Sequence, residues 1–284
     1  AIDDYGTSVS ASRIASGDRP LHHQLERALA ELLEVQDAIA FVGGFGTNEG
    51  VIGHLFGPGD LIVVDSLIHA SVQTGAQLSG ATVKPFPHNN HEALDTILGQ
   101  ARDDYHRVLV VIEGVYSMDG DIPDLPRFIE LRERHGAFLM VDEAHSMGVL
   151  GRTGRGIREH FGVDGDDVDL WMGTLSKSFA SCGGYIGGRK EIVDYLRMSA
   201  PSYVYSVGIT PPNAAAALAA IGQMKAHPER VERLRRNAER LCDGCRALGL
   251  DTGQAGASGV VPVIVGNSMT CARLYKALFE RGIY

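Results

Sequence analysis

The stretch Gly173-Thr174-Leu175-Ser176-Lys177-Ser178-Phe179 is entered from the apolar run Val168 to Met172 and followed shortly by Gly183-Gly184. A lysine set among small hydroxyl and glycine residues at the end of a buried strand is badly placed as a solubilising charge. It is well placed for chemistry, because its compact, pKa-tunable amine condenses with a carbonyl to form a Schiff base. Two other readings compete. A Walker-type phosphate loop requires glycine directly before the lysine, and Ser176 stands there. A lysine snorkelling out of a loop is the plain alternative, and the surrounding sequence weighs against it.

Working outward, strand and helix patterns alternate. Short apolar runs recur at Ala38 to Val42, Leu61 to Val64, Val108 to Ile112, Phe138 to Val141, Val168 to Met172 and Tyr185 to Ile186. Helical candidates lie between them near 47–56, 69–79, 91–102 and 125–135, several ended by glycine (Gly57, Gly80, Gly136), after a first helix opened by Pro20. Continuous apolar strands separated by helices predict an α/β fold with a mostly parallel sheet covered on both faces. In such sheets ligands bind outside the carboxyl ends of the strands. The polar clusters Gly43 to Asn48, Asp65 to His69, Glu113 to Ser117, Asp142 to His145 and the lysine segment all follow strands directly, which predicts that they share one edge of one sheet.

A second organisation begins after Pro211-Pro212. An alanine-rich helix is broken at His227-Pro228, a long amphipathic helix runs to Leu248-Gly249, and one strand (Val260 to Val265) and one helix (Thr270 to Arg281) follow. This divides the chain into an N-terminal arm (1–18), a large domain (19–226) and an incomplete small α+β domain (227–284). Cys242 and Cys245 form a C-x-x-C, but they fall on the apolar stripe Val231, Leu234, Ala238, Leu241, Cys242, Cys245, Leu248, and no second ligand pair accompanies them. They read as core packing rather than as a metal or redox site.

The 284 residues carry a net charge of -9, from 26 basic and 35 acidic side chains, with no long basic run to track a phosphate backbone. That argues against a nucleic-acid partner. No apolar stretch approaches the roughly 20 residues of a membrane span and no signal-peptide pattern opens the chain, which gives a cytoplasmic expectation. The four cysteines are too few and scattered for a disulfide framework.

The loops specify the chemistry further. Gly44-Phe45-Gly46 before a helix start offers backbone N–H groups to a phosphate or carboxylate, whereas a dinucleotide fingerprint fails because Glu49 occupies its third glycine position. Asp142 ends a strand three residues before His145, and Lys177 lies 35 positions further on. An anion cradle, a strand-end carboxylate and an amine describe a site for an aldehyde-bearing aromatic phosphate, and pyridoxal 5′-phosphate (PLP) is that molecule.

Six motifs then carry a resemblance: Ser12-Arg13-Ile14-Ala15-Ser16-Gly17, Gly44-Phe45, His69-Ala70-Ser71, Glu113 to Asp121 (EGVYSMDGD), Val141-Asp142-Glu143-Ala144-His145 and Thr174-Leu175-Ser176-Lys177. In order and combination they resemble the α-oxoamine synthases, PLP enzymes of the aspartate-aminotransferase fold (fold type I) with a seven-stranded sheet. The resemblance implies that Lys177 holds PLP as an internal aldimine and later shuttles a proton. It implies that Asp142 pairs with the pyridine nitrogen, His69 stacks on the ring, and His145 and Ser117 bond the phenolic oxygen. Gly44, Phe45 and Thr174 would hold the phosphate end. The implied reaction is a decarboxylative, Claisen-type condensation of a small α-amino acid with an acyl thioester, on coenzyme A or an acyl-carrier protein, by a homodimer whose active sites lie between subunits. A different fold-type-I enzyme, an aminotransferase or a β-hydroxy amino acid lyase, is the alternative, as is a non-catalytic PLP-binding subunit.

The chain departs from the family pattern at Ser206-Val207-Gly208-Ile209-Thr210-Pro211; the resemblance implies that this loop reaches the phosphate of the neighbouring subunit, where Ser206 could still serve but Val207 and Gly208 cannot donate from their side chains. The pattern also includes a helix ahead of the first residues and a stretch past Tyr284 bearing an arginine for the substrate carboxylate, so the chain reads as a piece of such a protein or as one from which those segments were left out.

Overall fold

A computed structural model describes residues 1–101, 104–256 and 258–284. Seven strands, β1 (Asp37–Phe41), β2 (Leu61–Asp65), β3 (Thr82–Phe86), β4 (Val108–Glu113), β5 (Phe138–Asp142), β6 (Leu170–Thr174) and β7 (Gly184–Gly188), form one sheet in the order β1-β7-β6-β5-β4-β2-β3. Only β7 runs against its neighbours, pairing antiparallel with β1 and β6 while the remaining pairs are parallel.

The continuous apolar runs arise because both faces are covered. Along β4, Val108, Val110 and Ile112 enter one hydrophobic cluster and Leu109 and Val111 the other, and Leu139 and Met140 of β5 divide the same way. Successive strand side chains alternate between faces, so a two-sided burial needs apolar residues at every position. β3 escapes this pattern. It is an edge strand carrying Lys84 and Pro85, with Thr82 and Val83 exposed, and a proline is tolerated there because one side of the strand needs no ladder donors. The six runs read from sequence missed it for that reason.

The segment Val260 to Val265 forms no strand. With no partner strand its backbone groups cannot enter a ladder. It is held instead by point contacts such as the Ile264 N–H donating to the Asp251 carbonyl at 2.8 Å and the Val260 N–H donating to Ser258 Oγ at 3.2 Å. The last helix spans Ser268–Phe279, capped by Asn267, and buries none of its residues. On the preceding helix, Glu229–Ala247, the inner face is Val231, Ala238, Cys242 and Cys245, the cysteines being free thiols. Leu241 and Leu248, expected on that stripe, are 57% and 80% exposed. They lie outside the arc that the neighbouring chain covers.

The Ser12 to Gly17 motif ties the arm down. Arg13 is buried, pairs with Glu26 and with Asp18 (2.8 Å), and sits over the Tyr203 ring at 5.4 Å. At the carboxyl-end edge of the parallel strands, His88 bridges two loops: Nδ1 lies 2.9 Å from Asp65 and Nε2 2.8 Å from Asp121. Burial draws its pKa down, but the hydrogen bonds to Asp121 and Asp65 outweigh that and push it from 6.5 up to about 10. A folded-state pKa above the unfolded one means that this contribution to stability is complete below about pH 6.5 and disappears as pH rises toward about 10. Chemical denaturation of wild type and His88→Ala should therefore show a stability gap that narrows steadily across that window; a gap that widens with pH contradicts the assignment.

Candidate active site

Where β1, β2, β4, β5 and β6 end, their loops enclose a cavity of about 200 Å³ whose wall includes Gly44, Phe45, Asn48, His69, Glu113, Asp142, His145, Met172, Thr174 and Lys177. Seven of the residues singled out in the sequence are thus brought together: Gly44, Phe45, His69, Asp142, His145, Thr174 and Lys177. Ser117, half-buried after β4, and Ser206, half-buried in the 205–210 loop, are not on this wall. Asn48, Ser71 and Glu113 are, and sequence reading had given none of them a role. Glu113 had a visible signal in its strand-end position at the head of the Glu113 to Asp121 motif. Asn48 had none beyond following the glycine-rich turn.

Helix Gly44–Leu55 starts against the sheet because Gly184 has no side chain: a Cβ there would lie 2.8 Å from Gly44 Cα and 2.3 Å from Thr47 Oγ1. Gly44 likewise faces Thr174, whose Oγ1 would sit 2.8 Å from an added Cβ. The helix has no side-chain cap at Gly43 and no acidic residue in its first turn, so the N–H groups of its opening residues and the positive end of its dipole are presented to the cavity. Thr174 Oγ1 is in turn fixed, donating to the Gly183 carbonyl (3.1 Å) and lying 2.8 Å from Ser176 Oγ.

On the floor, Asp142 is buried; its Oδ2 accepts from Asn48 Nδ2 and its Oδ1 from the Ala144 N–H, each at 2.9 Å. Burial raises its pKa above the ordinary carboxylate range despite those donors. Glu113 is its register partner on β4; burial first, and then the Asp142 charge, push the Glu113 carboxyl up to about 8. Lys177 reaches in from the cavity mouth, where its Nζ donates to His145 Nε2 at 2.6 Å. Partial burial lowers the lysine pKa, with Asp142 and Glu113 opposing the shift. Burial, then the charge of Lys177, push His145 down to about 4, so its ring is the neutral acceptor that this contact needs. His69 caps helix Ala70–Ser79, its side chain accepting from the Ser71 N–H, and its ring meets Phe45 edge-on with centroids 6.3 Å apart.

The sequence matches the aminotransferase class I and II family over residues 8–284. It is 40% identical to an 8-amino-7-oxononanoate synthase of Symbiobacterium thermophilum, over all of this chain and 72% of that protein, and 40% identical to the enzyme of that name from Fervidobacterium nodosum, with the same coverage. The chain belongs to the α-oxoamine synthases. Among solved structures, this synthase superposes on a serine palmitoyltransferase from S. paucimobilis with bound PLP-myriocin aldimine at TM-score 0.95 and 34% identity, covering all of this chain and 71% of that one. It also superposes on the 8-amino-7-oxononanoate synthase of Francisella tularensis at TM-score 0.84 and 28% identity, covering 99% and 79%. The α-oxoamine synthase is accordingly a PLP-dependent acyltransferase with the aspartate-aminotransferase fold. Its cavity suits that cofactor on chemical grounds. Anion-seeking backbone donors sit at one end, a buried carboxylate lies on the floor, and an amine of lowered pKa stands at the mouth. A polar side-chain oxygen, Asn48 Oδ1, is also buried without a partner among the described residues. No helix among the described residues is long and apolar enough to cross a membrane.

Proposed function

We propose that this synthase joins a small α-amino acid to an acyl thioester with loss of carbon dioxide, releasing an α-amino ketone, and that its substrates are alanine and a seven-carbon dicarboxylic acyl thioester. The observation that carries the reaction type is the convergence of Lys177, Asp142, His69 and His145 on one cavity beside a helix start. The substrate pair is supported by the relatives' name: a nine-carbon acid with an amine next to a ketone divides into the two carbons that alanine keeps after decarboxylation and a seven-carbon acyl group.

Bound PLP supplies a cationic pyridine ring that draws electrons from the bonds of the amino-acid α-carbon. Asp142 holds the proton on the ring nitrogen, and its own position is fixed by Asn48 and the Ala144 N–H. The Gly44 and Phe45 N–H groups would hold the phosphate, Thr174, its hydroxyl hydrogen given to the Gly183 carbonyl, would line that end of the cavity, and His69 would pack against the ring. Lys177 Nζ would anchor PLP covalently and, when free, would serve as the base for the substrate's α-carbon proton, its lowered pKa enlarging the neutral fraction able to accept one. His145 orients Nζ through their hydrogen bond and would bond the phenolic oxygen, whereas Ser117, which is not on the cavity wall, makes no such contact in this structure. Ser206 stands next to Tyr205 and Val207, both exposed. In a homodimer this loop serves the phosphate of the neighbouring subunit.

Incubating the PLP-loaded protein with glycine, alanine or serine and a set of acyl thioesters tests the reading by mass spectrometry of products. Carbon dioxide, free thiol and an amino ketone in equal amounts, fastest with alanine, are expected. A keto acid derived from the amino acid, with the thioester untouched, would establish a transaminase instead.

A further inference from the structure

Asn48 lies 1% exposed, near the start of helix Gly44–Leu55, on the wall of the cavity. Its Nδ2 makes two 2.9 Å hydrogen bonds, one to Asp142 Oδ2 and one to Ser71 Oγ. Ser71 Oγ is in turn 2.7 Å from His69 Nδ1. A continuous row of contacts therefore links the carboxylate on the floor to the imidazole above it.

One fixed donor sets the polarity of the whole row. The Ser71 backbone N–H donates to His69 Nδ1 at 3.2 Å, so Nδ1 bears a lone pair and the hydrogen of the neutral ring is on Nε2. The Ser71 hydroxyl approaches the same lone pair and must give its single hydrogen to it, which leaves its oxygen only as an acceptor. The Asp142 carboxylate is also an acceptor. Both neighbours of Asn48 thus require a donor, and only the NH₂ end of the amide has two hydrogens to give. The orientation of the amide is forced, and Oδ1 is left buried without a hydrogen-bond partner among the described residues. Such an orphaned oxygen is unfavourable. It persists because the opposite end of the group satisfies two acceptors at once.

We propose that Asn48 is a positioning residue for this reaction, in which one amide holds the Asp142 carboxylate and, through the Ser71 hydroxyl, the orientation of His69, whose tautomer the Ser71 backbone N–H fixes. The two groups expected to meet the cofactor's ring nitrogen and ring face are thereby held as a unit, with the Nε2–H of His69 turned away from the network as a donor. The proposal rests on PLP lying between His69 and Asp142, as proposed above.

The first test needs no cofactor. Nitrogen-15 NMR of the histidine-labelled apoprotein, with His69→Gln to assign the signal, is expected to show the His69 hydrogen on Nε2. Finding it on Nδ1 overturns the proposal whatever binds in the cavity. The second test uses apoprotein titrated with PLP and followed by fluorescence, for wild type, Asn48→Ala, Asn48→Asp and Ser71→Ala. Loss of a hydrogen bond to a charged group predicts affinity about tenfold weaker for Asn48→Ala. Asn48→Asp, nearly identical in shape, is expected to bind more weakly still because it sets a second acceptor and charge against Asp142. A side chain that merely fills space gives the opposite order, with the isosteric aspartate close to wild type, and that order overturns the proposal. Should a position-48 variant fail to fold, Ser71→Ala and the NMR measurement still decide: unchanged PLP affinity and an unchanged His69 signal in Ser71→Ala show that no coupling passes through it.

Discussion

Lys177→Ala is expected to eliminate turnover, by at least roughly ten-thousandfold, which is the scale of loss when a residue that forms the covalent link is removed. Borohydride treatment should attach PLP irreversibly to the wild-type protein but not to the variant, as read by intact mass. The fold has little stake in this side chain. It reaches in from the cavity mouth, and among the described residues its one hydrogen-bond partner is His145, so the unfolding midpoint should stay near that of wild type. That separation makes the experiment decisive: a variant with wild-type turnover, or one in which reduction still fixes PLP at the same yield, would remove Lys177 from the chemistry.

Asp142→Asn should divide function from stability in a second way. The carboxylate is buried at the end of β5 with, among the described residues, only Asn48 and the Ala144 N–H as donors, and burial lifts its pKa. The charged form is therefore penalised in the apoprotein, and a neutral residue of the same shape relieves that penalty. Against that relief, the introduced NH₂ faces one of the two donors, so the variant should unfold near the temperature of wild-type apoprotein. Turnover should nevertheless fall by about a hundred- to a thousandfold, the usual loss when one preorganised electrostatic group is removed, because the pyridine nitrogen then has no anion to keep its proton. Wild-type turnover in Asp142→Asn, or a variant that loses stability and activity in parallel, would mean that this carboxylate serves the fold alone.

Most of the architecture was legible because the constraints were local. A strand buried on both faces must be apolar throughout, so β4 and β5 announced themselves in Val108 to Ile112 and Phe138 to Val141. The glycine-ended helices between them followed from chain chirality and capping. Thr82–Phe86 stayed hidden because an edge strand obeys weaker rules, and Val260 to Val265 misled because an apolar run becomes a strand only beside another one. Lys177 and Asp142 could be picked out for a similar local reason: each is a charged residue at the end of an apolar strand, where a parallel sheet gathers its loops.

Alone, the sequence determined the fold class, the edge of the sheet that carries function and the residue types present there, since periodicity and strand-end position act over a few neighbours. Tertiary structure alone decided how those residues address one another. Asn48 and Asp142 lie 94 positions apart and become hydrogen-bond partners only because the crossovers lay helix Gly44–Leu55 over the end of β5. The register that sets Glu113 beside Asp142 likewise belongs to the sheet and to neither strand. Charge, tautomer and pKa depend on distance and burial, and these exist only once the chain has closed around the cavity.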